Sequence, residues 1–311
     1  MFSAIVSASN ARVKSAIRLK ESRARRRENA CLVDGVREID RALRSHFRIS
    51  TLFWNAGPRV RAEERPDVLT TLLESGRTED RAREISSLIY AVDSLGAPTI
   101  PLGQSAFDKL RFGDRDEGVV AVFDARSSSL DELDELVTRR AAERDEQALV
   151  GVVEDVEKPG NLGAILRSAD GAGVHGLVVA SNRGDYDVFN PNAIRSSLGA
   201  IFHVPVAVAS PAETLAWLRR RGVQRATALC DESVPYTQLD YTRPTAIILG
   251  TEADGLTPVW SEETEEDAAR ALLQKVRLPM LGVADSLNVS NAAAIFFYEA
   301  RRTRMASRGS N

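Results

Sequence analysis

The chain of 311 residues has few of the side chains that form disulfides or bind transition metals. Its two cysteines, Cys31 and Cys230, lie far apart and form no C-x-x-C motif. Its three histidines, His46, His175 and His203, are isolated and show no metal-ligand spacing. We therefore expect neither a disulfide framework nor a metal site.

Long hydrophobic runs are also absent. No apolar stretch approaches the ~20 residues of a membrane-spanning helix, and the opening MFSAIVSASNARVKSAIRLK lacks the apolar segment of a signal peptide. Apolar residues make up 43% of the chain and charged residues 27%, as in globular proteins. The sequence thus predicts a cytoplasmic protein with no membrane partner, long enough for two domains.

Acidic residues exceed basic ones, giving a formal net charge of −3, but the first 61 residues reverse this balance. They hold 14 Lys or Arg residues against five acids. A basic segment on an acidic chain is typical of a surface that neutralises phosphates. We predict that the densest cluster, Arg23, Arg25, Arg26 and Arg27, contacts RNA; the alternative is a solvated helix face.

The composition divides the chain into three regions. Residues 1–125 alternate helix-like and strand-like runs, which predicts a small α/β domain. Residues 126–147 are highly charged, with Leu130, Leu133, Leu136 and Val137 at helical spacing, and are interpreted as a linker with an exposed connecting helix. Residues 148–311 form the third region.

This third region alternates short β-branched runs with helical segments. The predicted strands are ALVGVVE, GLVVAS, IFHVPVAVA, RATALC, TAIILGT and KVRLPM. Such alternation predicts an α/β fold with a mostly parallel sheet and helices on both faces. The G-x-G-x-x-G of dinucleotide-binding domains does not follow the first strand, and PGNLGAI lacks the Gly-Lys-Ser/Thr of a P-loop.

Polar residues instead precede a helix near the C-terminus. Ser286, Asn288 and Ser290 stand just before an apolar helical pattern, where free backbone N–H groups can bind a carboxylate or phosphate. Taken alone, this pattern equally fits a capped, buried helix.

Three stretches in this order, Glu154–Ser181, Ala246–Leu256 and Leu278–Arg302, resemble the three motifs of the SpoU (TrmH-like) knotted RNA 2′-O-methyltransferases. The resemblance covers roughly residues 148–302, and NLGAILRSADGAGV with SLNVSNAAA makes it specific. The N-terminal region resembles the substrate-binding domain that often precedes this catalytic domain, although Asp34 stands where many relatives have Glu. Asn190–Val206 resembles the family segment between the first two motifs.

The resemblance implies a deep trefoil knot at the C-terminal end of the sheet, a rare exception to unthreaded chains. It also implies S-adenosylmethionine as cofactor, RNA as substrate and a homodimer formed through the C-terminal domain. Three consecutive aromatics, Phe296, Phe297 and Tyr298, cannot share one helix face, which also favours a second subunit.

The same resemblance assigns the site residues. Arg167 would stabilise the attacking ribose oxygen and hold a phosphate, and Asn161 would orient Arg167 and the substrate. Glu252 would position Asn161 or the substrate, and Ser286 and Asn288 would shape the pocket. The cofactor would be held at Leu249, Gly250, Gly255, Leu278, Met280, Leu287 and Asn288. Arg195 would contact RNA phosphate. Alternatively, Arg167 and Arg195 form ion pairs, and Asn161 and Ser286 are turn and cap residues.

Other functions remain open at this level. Within the family, 23S ribosomal RNA is the first choice and transfer RNA the alternative, because relatives that act on transfer RNA often lack the N-terminal domain. An enzyme that confers antibiotic resistance on its ribosome belongs to the same class. A non-catalytic RNA-binding protein, or a methyltransferase acting on small molecules or proteins, would share the fold.

Overall fold

The computed structural model describes residues 2–113, 116–183, 186–229, 233–251 and 255–308. The chain folds into two compact units. The first comprises the chain up to Arg126 together with Phe189–Phe202. The second comprises Ser127–Val188 and the chain from His203 onward. Cys230 and Glu252 lie outside the described residues.

The elements follow the chain in a single series. They are α1 (Ala11–Arg18), α2 (Ser22–Glu28), β1 (Ala30–Asp34), α3 (Val36–Arg44), β2 (Ile49–Gly57), α4 (Val68–Glu74), α5 (Glu79–Ser94), β3 (Thr99–Gly103), α6 (Gln104–Leu110), β4 (Val119–Asp124), α7 (Leu130–Glu143), β5 (Leu149–Glu154), α8 (Pro159–Ala172), β6 (Gly176–Ala180), α9 (Pro191–Ser196), β7 (Val206–Ala209), α10 (Pro211–Arg220), β8 (Gln224–Ala228), β9 (Val234–Pro235), β10 (Thr245–Leu249), α11 (Glu265–Ala269), β11 (Leu273–Arg277) and α12 (Val289–Arg308).

The first unit is built on a four-stranded mixed sheet of order β1-β4-β2-β3. Strand β4 pairs antiparallel with β1 and β2, and β2 pairs parallel with β3. Phe53 and Phe107 are buried in its core. Helix α1 begins where Asn10 accepts a hydrogen bond from the backbone N–H of Arg12, the usual way to satisfy a free donor at a helix start.

A later segment, Phe189–Phe202, packs into this first unit. The Phe47 and Phe202 rings meet edge to face with centroids 5.0 Å apart, and Phe189 joins the same aromatic cluster. Such pairs add stabilisation beyond the area they bury. Ile201 and Phe202, the first two residues of the predicted strand IFHVPVAVA, belong here in a short 3₁₀ helix, Ala200–Phe202. The observed strand begins only at Val206, so the prediction was wrong for the first half of this stretch.

The second unit contains a seven-stranded sheet of order β7-β6-β5-β10-β8-β11-β9. Every pairing is parallel, which confirms the sheet type predicted from the β-branched runs. All residues of β5, β6 and β10 are buried, as expected for strands covered on both faces. The short strand β9 was not predicted.

Helices cover both faces of this sheet. Val150 and Val152 of β5 share a buried cluster with Leu133 of α7 and Leu218 of α10. The alternate residue Gly151 faces Phe297 of α12, since a Cβ built on Gly151 would lie 2.9 Å from the Phe297 ring. This arrangement confirms the predicted α/β fold.

The helix expected between the domains is not an exposed connection. In α7, Leu133 and Val137 are fully buried against the sheet of the second unit. The same leucine spacing that predicted the helix also creates an apolar stripe that must be buried. The domain limits drawn from sequence remain a proposal.

Buried charges in the second unit are paired. Arg225 on β8 and Asp267 on α11 are both buried, with Arg225 Nη2 3.0 Å from Asp267 Oδ2. Burial alone would raise the pKa of Asp267, but hydrogen bonds from Arg225 and the Thr264 backbone, with the charge of Arg225, lower it to about 2. His175 is buried as a neutral packing residue, because burial lowers its pKa to about 4.

Within the described ranges, no helix is long and apolar enough to cross a bilayer. Across the same ranges, no group of three or more His, Cys, Asp or Glu side chains is placed to hold a metal ion.

Candidate active site

The candidate site lies where three parallel strands of the second unit end. Strands β5, β6 and β10 end at Glu154, Ala180 and Leu249, and their residues are in register, so these ends lie at one edge of the sheet. Ligands of open parallel sheets bind outside this carboxyl edge. The loops that carry the predicted site residues leave the sheet here.

The structure brings the first and third motifs together through two asparagines. Asn288 Nδ2 donates a hydrogen bond of 3.3 Å to Oδ1 of Asn161. Asn161 lies in the first turn of α8, which begins with Pro159, and Asn288 directly precedes α12. Because α8 and α12 pack side by side, residues 127 positions apart share one site.

Asn288 also caps the helix that follows it. Its Oδ1 accepts hydrogen bonds from the Ser290 backbone N–H at 3.0 Å and from Ser290 Oγ at 2.6 Å. The side chain therefore uses its carbonyl oxygen for capping and its amide nitrogen for contact with Asn161. Asn288 is therefore a helix cap that also contacts the first motif, and its role in shaping a pocket stays a prediction.

Arg167 and Ser286 are exposed to solvent. Arg167 lies on the outer face of α8, where its guanidinium has no hydrogen-bond or ion-pair partner among the residues that the structure describes. The ion pair considered as its alternative role is therefore not seen in that part of the chain. Ser286 lies in the exposed loop before α12.

Two glycines allow the chain to turn back and pass very close to itself at the end of β10. We call this close approach of Gly255 and Leu256 to Gly250 the crossing at Gly250. A Cβ on Gly250 would collide with the carbonyl group of Gly255 and lie 2.7 Å from the Leu256 nitrogen. Gly255 adopts φ +67, which favours glycine, and its carbonyl accepts a 3.0 Å hydrogen bond from Thr251 N–H. Only glycine at position 250 leaves room for this crossing.

The other residues predicted to bind the cofactor differ in their burial. Leu249 is buried at the end of β10, whereas Leu278, Met280 and Leu287 are half-buried. Backbone groups and apolar side chains at these positions suit the adenosyl part of S-adenosylmethionine. The residues present therefore fit the cofactor.

Glu154 is a buried residue at this edge of the sheet that the sequence analysis did not single out. It ends β5 with 2% exposure, and its carboxylate accepts three hydrogen bonds from the segment after Gly255. An acidic residue closing a buried strand before PGN was the available signal, because a buried carboxylate requires partners. Its neighbour Asp155 accepts a 2.7 Å hydrogen bond from Ser181 Oγ, which ties the ends of β5 and β6 together.

One of the arginines predicted to bind RNA is internal to the first unit. Arg25 has 4% exposure and its Nη1 donates to the backbone carbonyls of Leu19 and Lys20, each at 2.7 Å. The RNA contact predicted for Arg25 is therefore wrong: the guanidinium ties α2 to the end of α1. Three exposed arginines remain, and we call them the α2 basic cluster: Arg23, Arg26 and Arg27.

Arg195 is half-buried in the first unit. Its Nη1 donates to the Phe112 carbonyl at 3.2 Å, and its charge lowers the pKa of nearby Asp34 against the larger effect of burial. Burial raises the pKa of Asp34 to about 6. The backbone contact gives Arg195 a structural role, and contact with RNA stays a prediction.

Comparison with known proteins provides relatives for both units. The sequence model of the SpoU rRNA Methylase family matches residues 148–298, and that of the MRM3-like substrate binding domain matches residues 10–89. A 23S rRNA (uridine(2479)-2′-O)-methyltransferase from Streptomyces viridochromogenes is 32% identical over 91% of this chain and 86% of its own length.

Solved structures agree with these matches. A crystal structure described as an RNA 2′-O ribose methyltransferase superposes with a TM-score of 0.70 at 29% identity, covering 97% of this chain and 99% of the other. The SpoU methyltransferase AviRb from Streptomyces viridochromogenes, in complex with AdoMet, superposes with a TM-score of 0.67 at 27% identity, covering 96% of this chain and all of the other.

Proposed function

The chain belongs to the SpoU rRNA methylase family, and on this premise we propose that it methylates a ribose 2′-hydroxyl of 23S ribosomal RNA, with S-adenosylmethionine as methyl donor. The observation that carries the proposal is the hydrogen bond between Asn161 and Asn288. It joins the first and third family motifs at the carboxyl edge of a parallel sheet.

The cofactor supplies an electrophilic methyl group when it is bound. Its adenosyl part would be held by backbone groups at Leu249, Gly250, Leu278, Met280 and Leu287, with Gly255 beside it. The protein otherwise contributes position and electrostatics.

Arg167 is proposed to act on the attacking oxygen. A ribose hydroxyl is a poor nucleophile at neutral pH, so the site must stabilise negative charge as it develops on the oxygen. Guanidinium groups are always protonated in proteins, so Arg167 serves as an electrostatic stabiliser or phosphate anchor and not as a base. Its exposed position on α8 leaves it open to an incoming RNA strand.

Asn161 is proposed to orient the ribose or Arg167, with Asn288 fixing the direction of the Asn161 amide. In this contact the Asn288 amide nitrogen donates and the Asn161 carbonyl oxygen accepts. Ser286 is proposed to line the pocket, and Glu252, outside the described residues, to position the substrate.

We propose that the first unit holds the RNA through the α2 basic cluster. Its three arginines are exposed, and the match to an MRM3-like substrate binding domain covers this region. Ribosomal RNA is favoured over transfer RNA because the relative of Streptomyces viridochromogenes is described as acting on 23S rRNA along nearly the same length. A cytoplasmic location follows from that substrate.

We also propose the trefoil knot and a homodimer through the second unit. Phe296 and Phe297 are both buried within their own unit, whereas Tyr298 is 53% exposed. Leu281 and Val283 are fully exposed, which is unusual for apolar side chains and is expected where a second copy covers them. Sedimentation equilibrium at micromolar concentration tests this part, because an active monomer of 33.9 kDa would exclude a shared site.

Mapping of 2′-O-methylated nucleotides in total RNA, with and without the gene, tests the activity. The expected result is the loss of one or more sites in 23S rRNA. Loss from transfer RNA alone would support the alternative substrate. No change at any site, with wild-type protein that still binds RNA, would favour the non-catalytic alternative.

A further inference from the structure

Glu154 accepts hydrogen bonds from three donors on one short segment. Its Oε2 accepts from the Thr257 backbone N–H at 2.8 Å and from Trp260 Nε1 at 3.0 Å, and its Oε1 accepts from Thr257 Oγ1 at 2.7 Å. Glu154 and Trp260 are buried, with exposures of 2% and 0%. A buried carboxylate with three good donors is strongly held, and we call this arrangement the Glu154 clamp.

The segment held by the clamp begins just after the glycine-bracketed loop. Thr257 precedes a 3₁₀ helix, Pro258–Ser261, and Leu256 and Val259 pack against the core of the second unit. The clamp therefore fixes this segment from the polar side while the core fixes it from the apolar side.

The clamped segment determines where the chain crosses Gly250. The Gly255 carbonyl and the Leu256 nitrogen pass so close to Gly250 that no Cβ fits between them. Leu249 is in register with Val153, so Gly250 and Glu154 are the next residues on neighbouring strands. The distance between the end of β10 and the segment at Gly255–Leu256 thus depends on the carboxylate of Glu154, which ends the neighbouring strand β5.

We propose that Glu154 is a positioning residue that sets the cofactor-binding crossing at Gly250 by holding Thr257 and Trp260. This inference rests on the proposed function, because Gly250 and Gly255 are assigned to S-adenosylmethionine there. Glu154 itself touches neither substrate nor cofactor. Its effect is on the backbone at Gly250 and Gly255.

The hydrogen-bond geometry predicts an unusual pattern among variants. In Glu154→Gln, the carbonyl oxygen can keep both N–H donors, and the new amide nitrogen can donate to Thr257 Oγ1, because a hydroxyl accepts as well as donates. Glu154→Gln should therefore retain the clamp. Glu154→Ala removes it, and Thr257→Val combined with Glu154→Gln leaves the amide nitrogen without an acceptor.

The test measures S-adenosylhomocysteine binding by calorimetry on full-length variants. Glu154→Ala and the Glu154→Gln/Thr257→Val double variant should weaken binding about tenfold, as expected for unsatisfied buried groups. Glu154→Gln and Glu154→Gln/Thr257→Ser should stay within about threefold of wild type. Asp267→Ala is the matched control, because it removes another buried, hydrogen-bonded carboxylate and should lower the melting temperature without changing affinity.

Hydrogen exchange in the ligand-free protein supplies a second readout. Glu154→Ala should accelerate exchange in a peptide covering residues 255–261, and Glu154→Gln should not. Unchanged exchange in Glu154→Ala, or wild-type affinity in that variant, would overturn the proposal. So would equal weakening by Asp267→Ala or by Glu154→Gln. Failure of wild-type protein to bind S-adenosylhomocysteine would instead count against the proposed function, while the exchange experiment would still decide the clamp.

Discussion

Substitution of Asn288 by Asp separates the two tasks of this side chain. Asp keeps a carboxylate oxygen for the Ser290 N–H, so the helix cap survives, but it has no N–H to donate to Asn161. The Asn161 amide must then turn to present its nitrogen to the carboxylate. Its carbonyl oxygen and nitrogen exchange places in the candidate site.

The expected magnitudes follow from these contacts. Loss of an N-cap side chain costs about 1 kcal/mol, and loss of a long hydrogen bond between exposed groups about 0.5 kcal/mol. Asn288→Ala should therefore destabilise the second unit by about 1.5 kcal/mol, lowering its melting temperature by roughly 3–6 °C. Asn288→Asp should remain within about 0.5 kcal/mol of wild type, since a carboxylate at a helix start is favourable.

Activity should follow a different order. We expect Asn288→Asp to lose about tenfold or more in kcat/KM, because a turned Asn161 misplaces the group it orients, and each tenfold is about 1.4 kcal/mol. Differential scanning calorimetry and methyl transfer from tritiated S-adenosylmethionine give the two readouts. Ser290→Ala is the control, because it removes only the hydroxyl contact to Asn288. Full activity in Asn288→Asp would refute the bridging role, and an unchanged melting temperature in Asn288→Ala would refute the cap.

Further outcomes are expected at other positions. Arg167→Ala should abolish methyl transfer yet keep S-adenosylhomocysteine affinity within about threefold, since the group acts on the hydroxyl; comparable turnover in the variant would remove its catalytic role. Gln at all three positions of the α2 basic cluster should flatten the salt dependence of RNA binding by ~0.7–0.9 log units per lost phosphate contact. Arg25→Gln should lower the stability of the first unit and leave the salt dependence of RNA binding unchanged. A changed salt dependence would show that Arg25 contacts RNA after all. Asp34 has a raised pKa, so its contribution to stability is fully present below about pH 4 and is lost as pH rises through about 6. Asp34→Asn should make the unfolding free energy of the first unit flat across this window and higher at pH 8, as measured by urea titration; an unchanged pH profile would contradict this.

Much of the architecture was readable because burial and periodicity coincide in a parallel sheet. A strand covered on both faces needs mostly apolar, β-branched residues, so the runs LVGVVE (Leu149–Glu154) and TAIIL (Thr245–Leu249) indicated strands from the sequence alone. The opposite held for Leu130–Glu143, where a charged composition suggested exposure although one leucine stripe is buried. Amino-acid composition counts all the residues of a helix together, whereas only the residues on one face of the helix are buried.

Charge density alone could not tell which arginine of the α2 region faces solvent. Arg25 stands among three exposed neighbours, and only the position of the α1 carboxyl end turns it inward toward two carbonyl groups. Glu154 was missed for a related reason. Its partners Thr257 and Trp260 lie more than 100 positions away in sequence, so no local sequence pattern predicts that they contact Glu154.

By itself, the sequence determined the α/β class, the parallel sheet, the motif residues and the family, because these depend on local periodicity and on residues standing in a recognisable order. Only the tertiary structure decided which side chains meet. The Asn161–Asn288 bond depends on the packing of α8 against α12, the crossing at Gly250 on the path of the chain after Gly255, and the place of Phe189–Phe202 in the first unit on its aromatic contacts. The first and the last are contacts between residues distant in sequence, and their free energy is gained only after the intervening chain has folded, so no single stretch encodes them. The approach at Gly250 joins residues close in sequence, but the chain after Gly255 is held by Glu154, which lies more than 100 positions away.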